Sequence, residues 1–165
     1  MRALLPLLLL ATPLAAQDDT PPLSTEKVVG QVVLGTVAAP VGFVVGGLTT
    51  RWVARRFGAE DDRASDIAYA GAYAGAALAA AAPPALVGSR GVTTGSYGAA
   101  VAGAVAGQLA GWGIVRLNQL SGAGDRPCRI TCILSTVAVF ALPSVGATVG
   151  FNLSRKYEPG RAPTP

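Results

Sequence analysis

Two cysteines, Cys128 and Cys132, stand four apart in RPCRITCIL, and the chain contains no histidine. A catalytic thiolate needs an activating base, and no imidazole is available to serve as one. A structural zinc needs four ligands, which two thiols without histidine or a carboxylate pair beside them do not supply. The pair therefore reads either as two small side chains where an apolar run begins or, in an oxidising compartment, as a disulfide. The densest acidic group is Glu60, Asp61 and Asp62 with Asp66. A bound cation is one reading of it; a solvated loop that balances Arg51, Arg55 and Arg56 is the stronger one. Three amides, Gln31, Gln108 and Asn152, lie inside apolar stretches, where hydrogen bonding between helices is their expected task. No nucleophile stands beside a base, so the sequence points away from an enzyme. It offers no catalytic, cofactor-binding or metal-binding residue.

The elements that carry these residues are marked by missing charge. Only 13% of the 165 residues are charged and 51% are hydrophobic, with a mean hydropathy of +0.46. Soluble chains average about 25% charged residues, so the composition leans toward a membrane protein. The net charge of +4 sits in short clusters without a basic, aromatic-interleaved face, which gives nucleic-acid binding no support. The first 16 residues, MRALLPLLLLATPLAA, follow the order of a cleaved secretory signal peptide: one arginine, a short apolar run, then small residues. Residues 17–27 (QDDTPPLSTEK) form a polar, flexible leader.

Beyond the leader the chain falls into four uncharged stretches, Val28–Thr50, Ile67–Ser89, Gly91–Val115 and Ile130–Ser154. A membrane helix needs about 20 predominantly apolar residues, and each stretch is that long. The expected domain covers residues 28–156, with helices over 28–50, 65–82, 93–116 and 130–154 and a flexible tail over 157–165. The fold class is all-α: four closely packed hydrophobic helices, transmembrane in character, following the signal peptide. Pro83-Pro84 is expected to end the second helix near Ala82, which would leave it short for the bilayer. Ser65 or Asp66 would cap that helix, and Thr93, Thr94 or Ser96 the next. A β-barrel is the rival fold, but the stretches neither alternate nor break at the roughly ten-residue length it requires.

Small residues recur at every fourth position of the third stretch: Gly91, Gly95, Ala99, Gly103, Gly107 and Gly111. In lipid, helices associate through close packing, and small residues at this spacing let two backbones approach. The second stretch has an alanine row, Ala64-Ala68-Ala72-Ala76-Ala80, with Gly71 and Gly75 beside it; Gly42-Gly46 and Gly146-Gly150 repeat the theme. The expectation is an antiparallel hairpin of the second and third helices, glycine row against alanine row. The packing residues singled out are Gly42, Gly46, Gly71, Gly75, Gly95, Gly103, Gly107, Gly111, Gly146 and Gly150. A composition rich in Ala and Gly produces some of this spacing unaided, yet it does not explain why charge is excluded from the same windows.

With TGSYGAAVAGAVAGQLAG (Thr94–Gly111) and, more loosely, SVGATVGFNLSRKY (Ser144–Tyr157), the chain resembles the glycine-zipper small membrane proteins of the bacterial envelope. The resemblance is at the level of motif and covers about half of the chain beyond the signal peptide. It implies envelope association and oligomerisation and brings no catalytic residues.

Topology follows from the arginines. With the N-terminus outside, the two inner loops hold Arg51, Arg55, Arg56, Arg63, Arg116, Arg126 and Arg129, and the outer segments hold Lys27, Arg90, Arg155, Lys156 and Arg161. This favours the inner membrane over the outer membrane or the periplasm and would keep both cysteines reduced. Pro40 and Pro143, each within an apolar run, should kink their helices. The favoured function is a non-enzymatic structural or assembly protein of the envelope, with the lipid bilayer and a second copy or an envelope protein as partners. A small channel or transporter subunit and a soluble, exported partner-binding helical domain are the alternatives.

Overall fold

The computed structural model describes residues 24–88, 93–120 and 130–157. The signal peptide and most of the leader, Arg90, Arg126, Arg129, Cys128, the Cys132 side chain and residues 158–165 lie outside the described residues. The fold is all-α, with four helices among the described residues: α1 (Thr25–Arg56), α2 (Asp61–Gly88), α3 (Tyr97–Leu120) and α4 (Ile130–Leu153). Each is long and apolar enough to cross a membrane.

The helix ends differ from expectation for identifiable reasons. Helix α1 begins at Thr25, inside the expected leader, and runs to Arg56, past the end of its uncharged stretch. It stops in a Schellman turn: Gly58 takes φ of 83°, the Ala59 N–H reaches the Ala54 carbonyl, and the Gly58 N–H reaches that of Arg55. Only a glycine enters this left-handed conformation cheaply. Helix α2 starts at Asp61, so neither Ser65 nor Asp66 caps it; Ser65 lies within the helix, and its hydroxyl donates to the Asp61 carbonyl at 2.9 Å. Acidic side chains in its first turn complement the helix dipole instead.

Pro83-Pro84 does not end α2, which continues through both prolines to Gly88. Each proline removes one backbone hydrogen bond, and Pro84 is fully buried where it does so. The Ala80 carbonyl that Pro84 releases is sheltered against α1, where a Cβ on Gly35 would lie 3.0 Å from its oxygen. Proline inside a helix is tolerated when neighbouring helices enclose the released carbonyls. The consequence is a 28-residue α2, about 42 Å long at 1.5 Å per residue, which removes the expected shortfall.

Of the three expected caps for α3, Ser96 is the one seen: its Oγ accepts from the Ala99 N–H at 3.3 Å. Thr93-Thr94 instead forms β1 and pairs antiparallel with β2, Lys156-Tyr157. This two-residue ladder, together with the Ser96 N–H donating to Ser154 Oγ at 2.9 Å, ties the entrance of α3 to the exit of α4.

Small side chains fill the interior and large ones cover the outside. Among the described residues, eleven alanines, Phe151, Pro84 and Pro143 are buried, whereas Val37, Val41, Leu48, Trp52, Leu109 and Leu117 are each more than 60% exposed. Soluble proteins rarely present apolar surface on this scale. A hydrocarbon surround accepts it without cost.

Candidate functional site

Among the described residues no cluster of reactive groups forms a candidate site; two glycine-lined seams do. In the first, α1 and α2 run antiparallel. A Cβ on Gly42 would overlap the backbone of Gly75, one on Gly46 that of Gly71, and one on Gly75 that of Gly42. Gly71 faces Thr50, whose hydroxyl turns back to the Gly46 carbonyl at 2.8 Å. In the second seam, Gly103 and Gly146 abut each other reciprocally, Gly107 lies on Leu142 and Pro143, and Gly150 on Ala99. Gly111 sits more loosely, 3.2 Å from the Ala138 carbonyl oxygen when given a Cβ. The paired glycine rows thus sit between α1 and α2 and between α3 and α4.

This corrects the expected pairing of α2 with α3, glycine row on alanine row. Where those two helices meet, Ala77 and Ala81 pack beside Ala100 and Ala104. Ala76 and Ala80, from the expected alanine row, pack instead with Ala39 of α1. Gly95 packs first on a side chain: a Cβ there would enter the Phe151 ring. Sequence reasoning missed Gly88, which is as crowded as the seam glycines, and Gly35, where a Cβ would lie 3.0 Å from Ala80 and Ser144, because each lacks a glycine four positions away. It also gave no role to Tyr73 or Tyr97. Tyr73 meets Phe43 edge-on at 5.4 Å, and the Tyr97 hydroxyl donates to the Leu78 carbonyl at 3.2 Å.

Three polar residues are buried among the described residues: Gln31 of α1, and Ser144 and Thr148 of α4. The two hydroxyls donate one turn back, to Phe140 and Ser144 respectively, as hydroxyls in apolar helices commonly do. Gln31 is fully buried, and both its amide heavy atoms lack a hydrogen-bond partner. A buried unsatisfied amide costs about 1–3 kcal/mol. Gln31→Met, which keeps the length and removes the amide, should therefore raise the unfolding midpoint in detergent. A lowered midpoint would mean that the amide does have a partner.

The charged residues stay at the helix ends. The acidic group is exposed as expected but is helical rather than a loop: Asp61, Asp62 and Asp66 lie at the start of α2, and Asp61 pairs with Arg55 at 2.6 Å, both side chains largely exposed. Beyond α4, burial lowers Arg155 from the usual arginine value, though a guanidinium stays charged near neutrality.

Comparison with protein families, with curated proteins and with solved structures yields no match. The seams and the side-chain distribution are the observations on which a functional reading rests.

Proposed function

We propose that this chain is a non-enzymatic protein of the bacterial cell envelope, seated in the inner membrane, with a structural or assembly role. One observation carries the reading: alanine and glycine fill the core while valine, leucine and tryptophan face outward. Packing of that kind is built for lipid, where close backbone contact rather than burial of apolar bulk holds helices together. The antiparallel order gathers Arg51, Arg55, Arg56, Arg63 and Arg116 at one end and Lys27, Arg155 and Lys156 at the other. This agrees with a cytoplasmic arginine-rich end.

The glycine rows are occupied within the chain, so self-association or capture of an envelope partner would draw on the outward apolar faces. A small channel or transporter subunit is the second reading, supported by Pro40, Pro143 and the buried polar trio Gln31, Ser144 and Thr148. Ion or solute flux across vesicles that contain the chain would favour it over a structural role.

The test of location is fractionation of cells that express the tagged chain, followed by an alkaline carbonate wash and cross-linking of the membranes. Retention in the inner membrane with cross-linked multimers or heteromers is expected. Release into the soluble fraction would overturn the membrane reading and leave an exported helical domain.

A further inference from the structure

The two hairpins meet unevenly. Ala77 and Ala81 of α2 close against Ala100 and Ala104 of α3 toward the β1–β2 end. Toward the arginine-rich end, a cleft of about 540 Å³ remains between the same helices, lined by Tyr73, Ala74 and Ala77 on one side and Gln108, Leu109 and Trp112 on the other. Sites for small ligands span roughly 300–1,000 Å³, so the cleft is of a size to be filled.

The cleft and the helix turn just beyond its mouth are graded along α3. Gln108, Trp112 and Arg116 follow one another at four-residue steps, which puts them on one helix face about 6 Å apart in depth. The Arg116 guanidinium lies over the Trp112 ring, 4.8 Å from its centroid, at the level where indoles and arginines meet the membrane interface. One turn deeper, both amide heavy atoms of Gln108 are shielded from solvent and have no hydrogen-bond partner. Deeper again, the walls are apolar. Cation, then amide, then hydrocarbon is the order of a phospholipid read from phosphate through glycerol ester to acyl chain.

We propose that the α2–α3 cleft seats one acyl chain of an anionic membrane phospholipid. Its phosphate lies at Arg116, and the Gln108 amide, shielded from solvent, turns into the cleft to donate to an ester carbonyl. The proposal rests on the membrane reading above. Basic pockets between membrane helices recognise anionic headgroups in this way. Asp66, two turns from Tyr73 and on the same face of α2, adds a negative charge at that end and tempers the preference.

The test uses the full chain in phosphatidylcholine vesicles that contain brominated phosphatidylglycerol. The chain has two tryptophans, so Trp52→Phe leaves Trp112 as the only reporter of quenching. We expect phosphatidylglycerol to associate at Trp112 about two to five times more strongly than phosphatidylcholine, the range one near-surface arginine provides. Arg116→Gln should bring that ratio to one. Ala74→Phe, at an exposed position, should fill the cleft and do the same, with helical content unchanged by circular dichroism. A parent ratio of one, or a ratio indifferent to both variants, overturns the proposal. The converse reporter, Trp112→Phe, separates the two failures. If Trp52 is quenched by brominated lipid and Trp112 is shielded from it, protein fills the cleft, whether a second copy or residues 1–23, and the lipid proposal fails alone. If neither tryptophan is quenched, the membrane reading fails with it.

Discussion

Gly107→Leu should pull α3 away from α4. A Cβ at Gly107 would overlap the backbone of Leu142 and Pro143, and backbone within a helix cannot rotate aside as a side chain does. Overpacking costs about 1–3 kcal/mol when neighbouring side chains can yield. Here none is available to yield, so we expect a loss of about 3 kcal/mol or more. The measurement is the unfolding midpoint of the purified chain in detergent, with helical content followed in parallel. Gly113→Leu is the comparison on the same helix, since a Cβ there meets nothing within 4 Å; it should be neutral or slightly stabilising, because leucine is the better helix former. Equal midpoints for the two variants would remove the case for the α3–α4 seam. The two seams share no glycine contact, so Gly42→Ala and Gly103→Ala should each destabilise, and their effects should add within about 0.5 kcal/mol.

That seam shows what the sequence can specify and what it cannot. Four-residue spacing marks Gly103, Gly107, Gly146 and Gly150 as a flat helix side, since the spacing follows from helix geometry alone. Spacing does not name the partner. The alanine row of α2 looks suited to the glycines of α3, but Gly71 and Gly75 on α2 give it a still flatter side, and the short turn through Gly58 presents that side to α1. The four spans were legible because expelling charge from lipid is a constraint on composition, visible without any tertiary contact. Pro83-Pro84 misleads for the opposite reason. The lost hydrogen bonds are local, whereas the shelter that makes them tolerable comes from Gly35, some fifty residues away in the chain. The two amides tell a similar story. Gln31 and Gln108 stand out in the sequence as polar residues in apolar runs, yet only the packed chain shows that neither amide finds a hydrogen-bond partner.

Phe151→Ala should be at least as damaging as Gly107→Leu, although nothing in the sequence singles out Phe151. It is the largest fully buried side chain among the described residues. Its ring fills the space between Gly88 at the end of α2, Gly95 ahead of α3, and Ala77, Ala81, Ala100 and Ala104. Removing a buried phenyl group costs about 3–5 kcal/mol through lost contacts and the cavity left behind. Alanine neighbours have little freedom to collapse into that cavity, which argues for the upper part of the range. Val37→Ala, on the outward face of α1 at 66% exposure, removes apolar atoms that only lipid would touch and should cost under about 0.5 kcal/mol. The decisive comparison is a cycle with Gly88. A Cβ at Gly88 would enter the Phe151 ring, so Gly88→Ala should destabilise the parent chain. Once the ring is gone, the added methyl occupies part of the cavity, and the same substitution should become neutral or stabilising. Contacting residues couple by about 0.5–3 kcal/mol, and here the sign is fixed: the double variant should be more stable than the sum of the single losses. Strict additivity would mean that Phe151 and Gly88 do not meet, and that α4 is not held at the β1–β2 end by this ring.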